Sequence, residues 1–323
     1  YPPVSGLPEL RSAIANKLQT ENQLPYQPEN IIVSNGAKHS LLNAILSLIN
    51  PGDEVLIPAP FWVSYPSMIR YAGGIPVSIP TSVEEDFKVS AEKLAAAITP
   101  KTKLLLFSSP CNPSGSVMSK TELAAWRDVL VKHPNIFILS DEIYEKINYS
   151  AAHCSLAEYP ELFERIAVIN GLSKGYAMTG WRMGYLAGPK ELVAACDKIQ
   201  GLMTSGASSV SQMASVAALE GSQDCVLEMK DVFEQRRNTF HAALSSIPNL
   251  PCNLPDGAFY LFPDVSHYLG KTTPDGNVLN TADDLCLYLL DKGHVSAVSG
   301  EFIDEELERK NESANKITQD TGK

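Results

Sequence analysis

Lys174 sits where a lysine amine could act as a nucleophile. It belongs to the stretch Ser173-Lys174-Gly175-Tyr176-Ala177-Met178-Thr179-Gly180-Trp181-Arg182, which follows the apolar run Ala167-Val168-Ile169-Asn170. That run reads as a buried strand ending at a turn. Small and apolar neighbours desolvate the lysine, and Arg182 adds a second cation eight positions on. Both effects disfavour the ammonium form, so the amine is expected to be reactive near neutral pH. A Schiff base with an aldehyde cofactor requires such an amine. Ser173 and Arg182 add a hydroxyl and a guanidinium, the groups that would hold a dianionic phosphate beside it.

Other residues capable of chemistry also stand just past strand-like runs. Ile31-Ile32-Val33-Ser34-Asn35 breaks at Gly36, and helical spacing follows from Leu41 to Ile49. A strand, a glycine and a helix start present backbone N–H groups to an anion, although such units are common without one. Asp53 to Pro58 leads to Trp62, and Lys103 to Phe107 leads to Asn112 in a loop fixed by Pro110, Pro113 and Gly115. Ile136 to Ser140 ends at Asp141, with Tyr144 one turn on. A carboxylate at the end of a buried strand is costly unless paired. Trp62 also reads as core, Asn112 as a turn cap, Asp141 as a helix N-cap and Lys38 as a solvated lysine. Near-continuous apolar strands mark a parallel sheet, whose ligand sites lie at the carboxyl edge. Gly36, Trp62, Asn112, Asp141 and Lys174 would all meet there.

The remaining elements frame that sheet. Pro8 opens a helix with Leu10, Ile14 and Leu18 on one face, and a long amphipathic helix spans about Cys225 to Ser246. Gly257 to Phe262 reads as a strand of a smaller domain, Thr281 caps a helix to Leu290, and Val295 to Val298 reads as a closing strand. From Glu301 to Lys323 the chain is polar and charged, which reads as an exposed tail. The expected organisation is α/β, with a large domain over 1–230, a small α+β domain over 231–300 and a divergent tail over 301–323.

With 323 residues, 44% hydrophobic and 20% charged, the composition is that of a soluble globular enzyme. A net charge of -11 argues against nucleic acid or an anionic membrane as partner. No apolar run is long enough for a transmembrane helix. Six cysteines without paired spacing read as reduced thiols in an intracellular protein and offer no metal motif. The chain starts at Tyr1 without a methionine, so plastid and cytoplasm are both open.

The lysine stretch closely resembles the cofactor-lysine motif of the class I aminotransferases, the pyridoxal-phosphate enzymes of fold type I. The resemblance runs from Tyr1 to about Gly300 and is nearest to the prokaryotic-type aspartate/prephenate aminotransferases. It implies pyridoxal 5′-phosphate linked to Lys174, which also serves as the proton-transferring base. Asp141 would then pair with the ring nitrogen, and Tyr144 and Asn112 would hold the phenolic oxygen while Trp62 stacks on the ring. Ser173, Arg182, Gly36 and Ala37 would cradle the phosphate, and Lys38 would take a distal substrate carboxylate. Tyr1 would reach the cofactor phosphate of the partner in a homodimer. Phe259 and Tyr260 would wall the substrate pocket, with Trp62 and Asn112 also near the substrate. The implied reaction is ping-pong transfer of an amino group between aspartate or glutamate and 2-oxoglutarate, oxaloacetate or prephenate. Alternatives are an aromatic or kynurenine aminotransferase, a β-lyase, or an inactive binding subunit. Family members continue past residue 300 with an arginine that clamps the α-carboxylate; it is missing here, as is an N-terminal arm, so impaired activity is expected.

Overall fold

The computed structural model describes residues 1–150 and 152–300. The tail expected over 301–323 lies outside the described residues. Among the described residues two compact units form, one from 1–241 with 253–261, the other from 242–252 with 262–300.

The first unit holds a seven-stranded sheet: β1 Ile31–Asn35, β2 Glu54–Pro58, β3 Ile75–Ile79, β4 Thr102–Ser108, β5 Phe137–Asp141, β6 Ile166–Gly171 and β7 Met183–Ala187. Their spatial order is β1-β7-β6-β5-β4-β2-β3. Only β7 runs antiparallel to its neighbours β1 and β6; the other pairs are parallel. Leu104 to Leu106, Ile138, Leu139 and Ile166 to Ile169 have no measurable exposure. Burial of both faces is what a parallel sheet under helices demands, and explains why these strands read as unbroken apolar runs.

Helices α1 (Pro8–Glu21), α2 (Ala37–Leu48), α3 (Ser64–Tyr71), α4 (Ala91–Ala97), α5 (Lys120–Leu130), α6 (Lys190–Met203) and α7 (Ser209–Glu220) cover the sheet. Pro8 stands at the start of α1, where its missing N–H costs nothing. Helix α2 packs on α6 and β7, and α1 packs on α7 and β1. In α5, Trp126 is buried against Phe107 and donates its indole N–H to Val89 O at 2.9 Å. Helix α8 (Asp224–Ser245) belongs to the first unit through His241. The second contains α9 (Ala282–Gly293), capped by Thr281 in a reciprocal box with Asp284. No helix among the described residues is long and apolar enough to cross a membrane.

Two expected strands do not form. Residues 257–262 make a single antiparallel bridge, Asn148 to Gly257, and 253–261 belong to the first unit. Backbone bonds sew this segment down: Gly257 N to Gly115 O at 2.8 Å, Ala258 N to Ile147 O at 2.8 Å, and Tyr149 N to Asp256 O at 2.7 Å. Ala258 has a φ of +56°, outside any strand conformation. Residues 295–298 have no strand partner among the described residues and are exposed; without a ladder, β-branched residues alone do not make a strand.

Candidate active site

Six strands share one direction, so their carboxyl ends form one edge. Ten of the predicted residues come from that edge. Gly36, Ala37 and Lys38 follow β1, Trp62 follows β2, and Asn112 follows β4. Asp141 closes β5 with Tyr144 just beyond it, Ser173 and Lys174 follow β6, and Arg182 precedes the returning β7. Tyr1, expected to serve a partner's site rather than this one, is fully exposed.

Lys174 lies in a tight loop, with Leu172 N bonded to Met183 O at 3.1 Å and Ala177 N to Lys174 O at 3.2 Å. Gly175 lets this loop press on Lys146, whose Cβ would stand 2.7 Å from any added Cβ. The Lys174 Nζ sits 5.7 Å from the centre of the Tyr144 ring and 5.6 Å from that of Phe259. Burial lowers its pKa, Asp141 opposes the change, and Arg182 reinforces it. The amine therefore carries the shift that its neighbours in sequence suggested.

The Asp141 carboxylate is buried, and burial pushes its pKa up to about 6. Donors from the Tyr65 hydroxyl, at 2.7 Å from Oδ2, and Ile143 N, at 3.3 Å from Oδ1, hold it down against that trend. Tyr144 is buried too, its hydroxyl hydrogen-bonded to that of Tyr260 and its pKa raised chiefly by burial. Asn112 is half-buried in a loop closed by Cys111 N to Ser116 O at 2.9 Å and Gly115 N to Cys111 O at 2.9 Å.

A cationic cradle closes the β1–α2 turn. Gly36 has a φ of +86°, and a Cβ there would stand 2.6 Å from Nη2 of Arg182. Glycine alone lets the guanidinium lie against the turn. In β7, a Cβ on Gly184 would meet Ala37 N at 2.2 Å, so a second glycine seats the helix start on the sheet. Arg182 donates to Thr179 O at 3.0 Å and Asn35 O at 3.4 Å. His39 N and Ser40 N turn back to Gly36 O, leaving the N–H groups of Ala37 and Lys38 without helical acceptors. Ser173 is buried nearby in sequence to Lys174, while Lys38 is exposed and holds its ammonium 4.6 Å from the centre of the Trp62 ring.

Beside Lys174 a cavity of about 550 Å³ opens against α8, lined by Thr179, Met229, Val232, Phe233 and Phe259 among others. Its size suits a small ligand. Phe233 stacks on Phe259 at 5.2 Å, and Phe259 meets Tyr144 edge-on at 5.4 Å. Sequence reasoning anticipated Phe259 here but not Phe233. It also missed Tyr65, three positions after Trp62 at a helix start, a spacing that brings two aromatic rings together.

A buried polar network flanks the site and was not foreseen. Glu142 accepts from Ser140 at 2.8 Å and Ser155 at 2.6 Å, and pairs with His153 at 2.7 Å. Glu145 pairs with buried Lys17 and accepts from Asn22 at 2.8 Å. The ligand-capable atoms of Glu142, Glu145 and His153 lie within 4.8 Å of one another, but the ammonium and hydroxyl donors already occupy the carboxylates.

Comparison with known proteins shows the family to which this chain belongs. Residues 1–309 match the family described as aminotransferase class I and II. The bifunctional aspartate aminotransferase and glutamate/aspartate-prephenate aminotransferase of Petunia hybrida is 47% identical over 305 residues, which are 93% of this chain and 64% of that protein. A probable aspartate/prephenate aminotransferase of Rhizobium leguminosarum bv. phaseoli is 46% identical, covering 93% of this chain and 76% of that protein. The crystal structure of the Rhizobium meliloti aspartate aminotransferase superposes with a TM-score of 0.91 at 43% identity, over 94% of this chain and 76% of that one. The chain thus spans just under two thirds of the petunia protein and about three quarters of the bacterial ones. The chain belongs to the class I and II aminotransferase family.

Proposed function

We propose that this chain moves an amino group from aspartate or glutamate to 2-oxoglutarate, oxaloacetate or prephenate, with pyridoxal 5′-phosphate held at Lys174. One observation carries the reading: five strand ends deliver an amine, a buried carboxylate, an aromatic ring, an amide and a cationic turn to a single sheet edge. The names of the relatives include aspartate, glutamate and prephenate, which supports those three among the substrates.

The residues fit the cofactor. The glycine-lined turn leaves a cradle that a Cβ would fill, with Arg182 across it and free first-turn N–H groups, which suits a phosphate. When bound, the cofactor supplies an aldehyde that condenses with amines and a ring that withdraws charge from the amino acid's α-carbon.

The chain's own groups then divide the work. Lys174, its basicity lowered by burial, would hold the cofactor through its amine and, once freed, would serve as the base that takes the proton from the substrate's Cα. Asp141 keeps a proton on the ring nitrogen, Tyr144 and Asn112 orient the phenolic oxygen, and Trp62 covers a ring face. Ser173, Arg182, Gly36 and Ala37 anchor the phosphate. Lys38, exposed beside Trp62, takes the distal carboxylate. A homodimer in which Tyr1 serves the partner's site completes this reading, in a plastid or cytoplasm where the free cysteines stay reduced.

Steady-state transamination with L-aspartate and L-tyrosine as donors tests the substrate class. Replacing Lys38 with alanine should raise KM for aspartate about tenfold or more, the loss of one charge-assisted bond, and leave that for tyrosine within about twofold. Equal effects on both donors would remove dicarboxylate recognition from the proposal.

A further inference from the structure

We propose that Tyr65 is a positioning residue of this site: its hydroxyl fixes the Asp141 carboxylate and its ring braces Trp62. One side chain thereby ties together the two groups expected to grip the cofactor ring. The inference rests on the reading that Asp141 and Trp62 face pyridoxal phosphate.

Tyr65 is the second residue of α3 and is 1% exposed. Its backbone N–H bonds Trp62 O at 2.9 Å, and its ring meets the indole edge-on at 5.6 Å and 85°. The hydroxyl points the other way, donating to Asp141 Oδ2 at 2.7 Å. This bond joins the end of β5 to the segment after β2, two strands that are not neighbours, since β4 lies between them. No backbone ladder could couple them directly. The phenol's own pKa is raised well above its ordinary value, chiefly by burial, so it remains a donor.

The groups around Asp141 give the bond its importance. Glu142 pushes the carboxylate toward protonation and Lys174 pulls the other way. Cys111 and Tyr144, packed nearby, have raised pKa values from burial and stay neutral at neutral pH. Tyr65 and Ile143 N supply the hydrogen bonds that favour the ionised form, Tyr65 the shorter. An Asp141 deprived of Tyr65 would compete better for the proton that it is meant to leave on the ring nitrogen. It would also be free to turn.

Tyr65→Phe keeps the ring and its contact with Trp62 while removing the hydroxyl. The probe is pyridoxal phosphate labelled with ¹⁵N in the ring, bound to the full chain and observed by NMR at neutral pH. The expected result is a ring ¹⁵N signal displaced toward the unprotonated position, with the cofactor Kd weakened about tenfold. Placing 3-fluorotyrosine at position 65, a stronger donor of nearly the same shape, should displace the signal the opposite way. This second variant decides the matter should the first fail to fold. A ring signal unmoved by either variant, with Kd within about twofold, overturns the inference and leaves Tyr65 as packing. Failure of the unaltered chain to bind the cofactor would instead overturn the reading beneath it.

Discussion

At the scale of the residue, Asp141 carries a cost that only a partner removes. Its folded pKa is raised from 3.8 to about 6. Between those values the folded chain binds a proton that the unfolded chain has released, so stability falls as pH rises through that window. The cost is complete above about pH 6. Asp141→Asn abolishes it, and the cofactor-free chain should therefore lose up to about 3 kcal/mol relative to that variant on going from pH 4 to pH 6.5. Denaturant unfolding of both proteins across this range measures the difference; parallel profiles would contradict it. The position of Asp141 was legible in sequence because an apolar run ended in a carboxylate. Tyr65 was not, since nothing in Trp62-Val63-Ser64-Tyr65 reveals that β5 ends within reach of its hydroxyl.

Among the elements, α1 shows what an apolar stripe conceals. Leu10, Ile14 and Leu18 pack as their spacing suggests, but Lys17 on the same helix is also buried and reaches Glu145, 128 residues away in the chain. Burial alone would raise the pKa of Glu145; Lys17, His153 and Asn22 outweigh it and hold the carboxyl at about 2. The stability from this group is present above the ordinary value of 4.5 and is lost as pH falls through 4.5 toward 2. Lys17→Met would strand a buried carboxylate beside Glu142 and should cost about 3–5 kcal/mol at pH 7. The penalty should shrink toward pH 3 as Glu145 takes up a proton. A loss below about 1 kcal/mol by denaturant unfolding at pH 7 would mean that the pair carries little. Distance in sequence also explains the two misread strands. A short run such as Val295 to Val298 names no partner, and Gly257 to Phe262 is shaped by bonds to residues more than a hundred positions earlier.

For the whole molecule, the parallel strands were readable because both faces of each are buried, whereas their order was not. The chain passes β2, β3, β4, yet the sheet places β4 beside β2 and β3 outside them. This order, with β7 returning antiparallel to deliver Arg182, assembles groups that are over a hundred residues apart into one site. That convergence is a claim about joint function, and a visible absorption spectrum tests it directly. The purified chain, Lys174→Ala and Arg182→Ala would each be mixed with pyridoxal phosphate and gel-filtered, and L-aspartate then added. The unaltered chain should retain a yellow lysine-linked band that fades on adding aspartate as the amino form of the cofactor appears. Lys174→Ala should show no such band, and Arg182→Ala should bind at least about tenfold more weakly, for loss of a charge-assisted phosphate contact. A Lys174→Ala protein that still shows the band and answers to aspartate would contradict the assignment of this edge as the catalytic site.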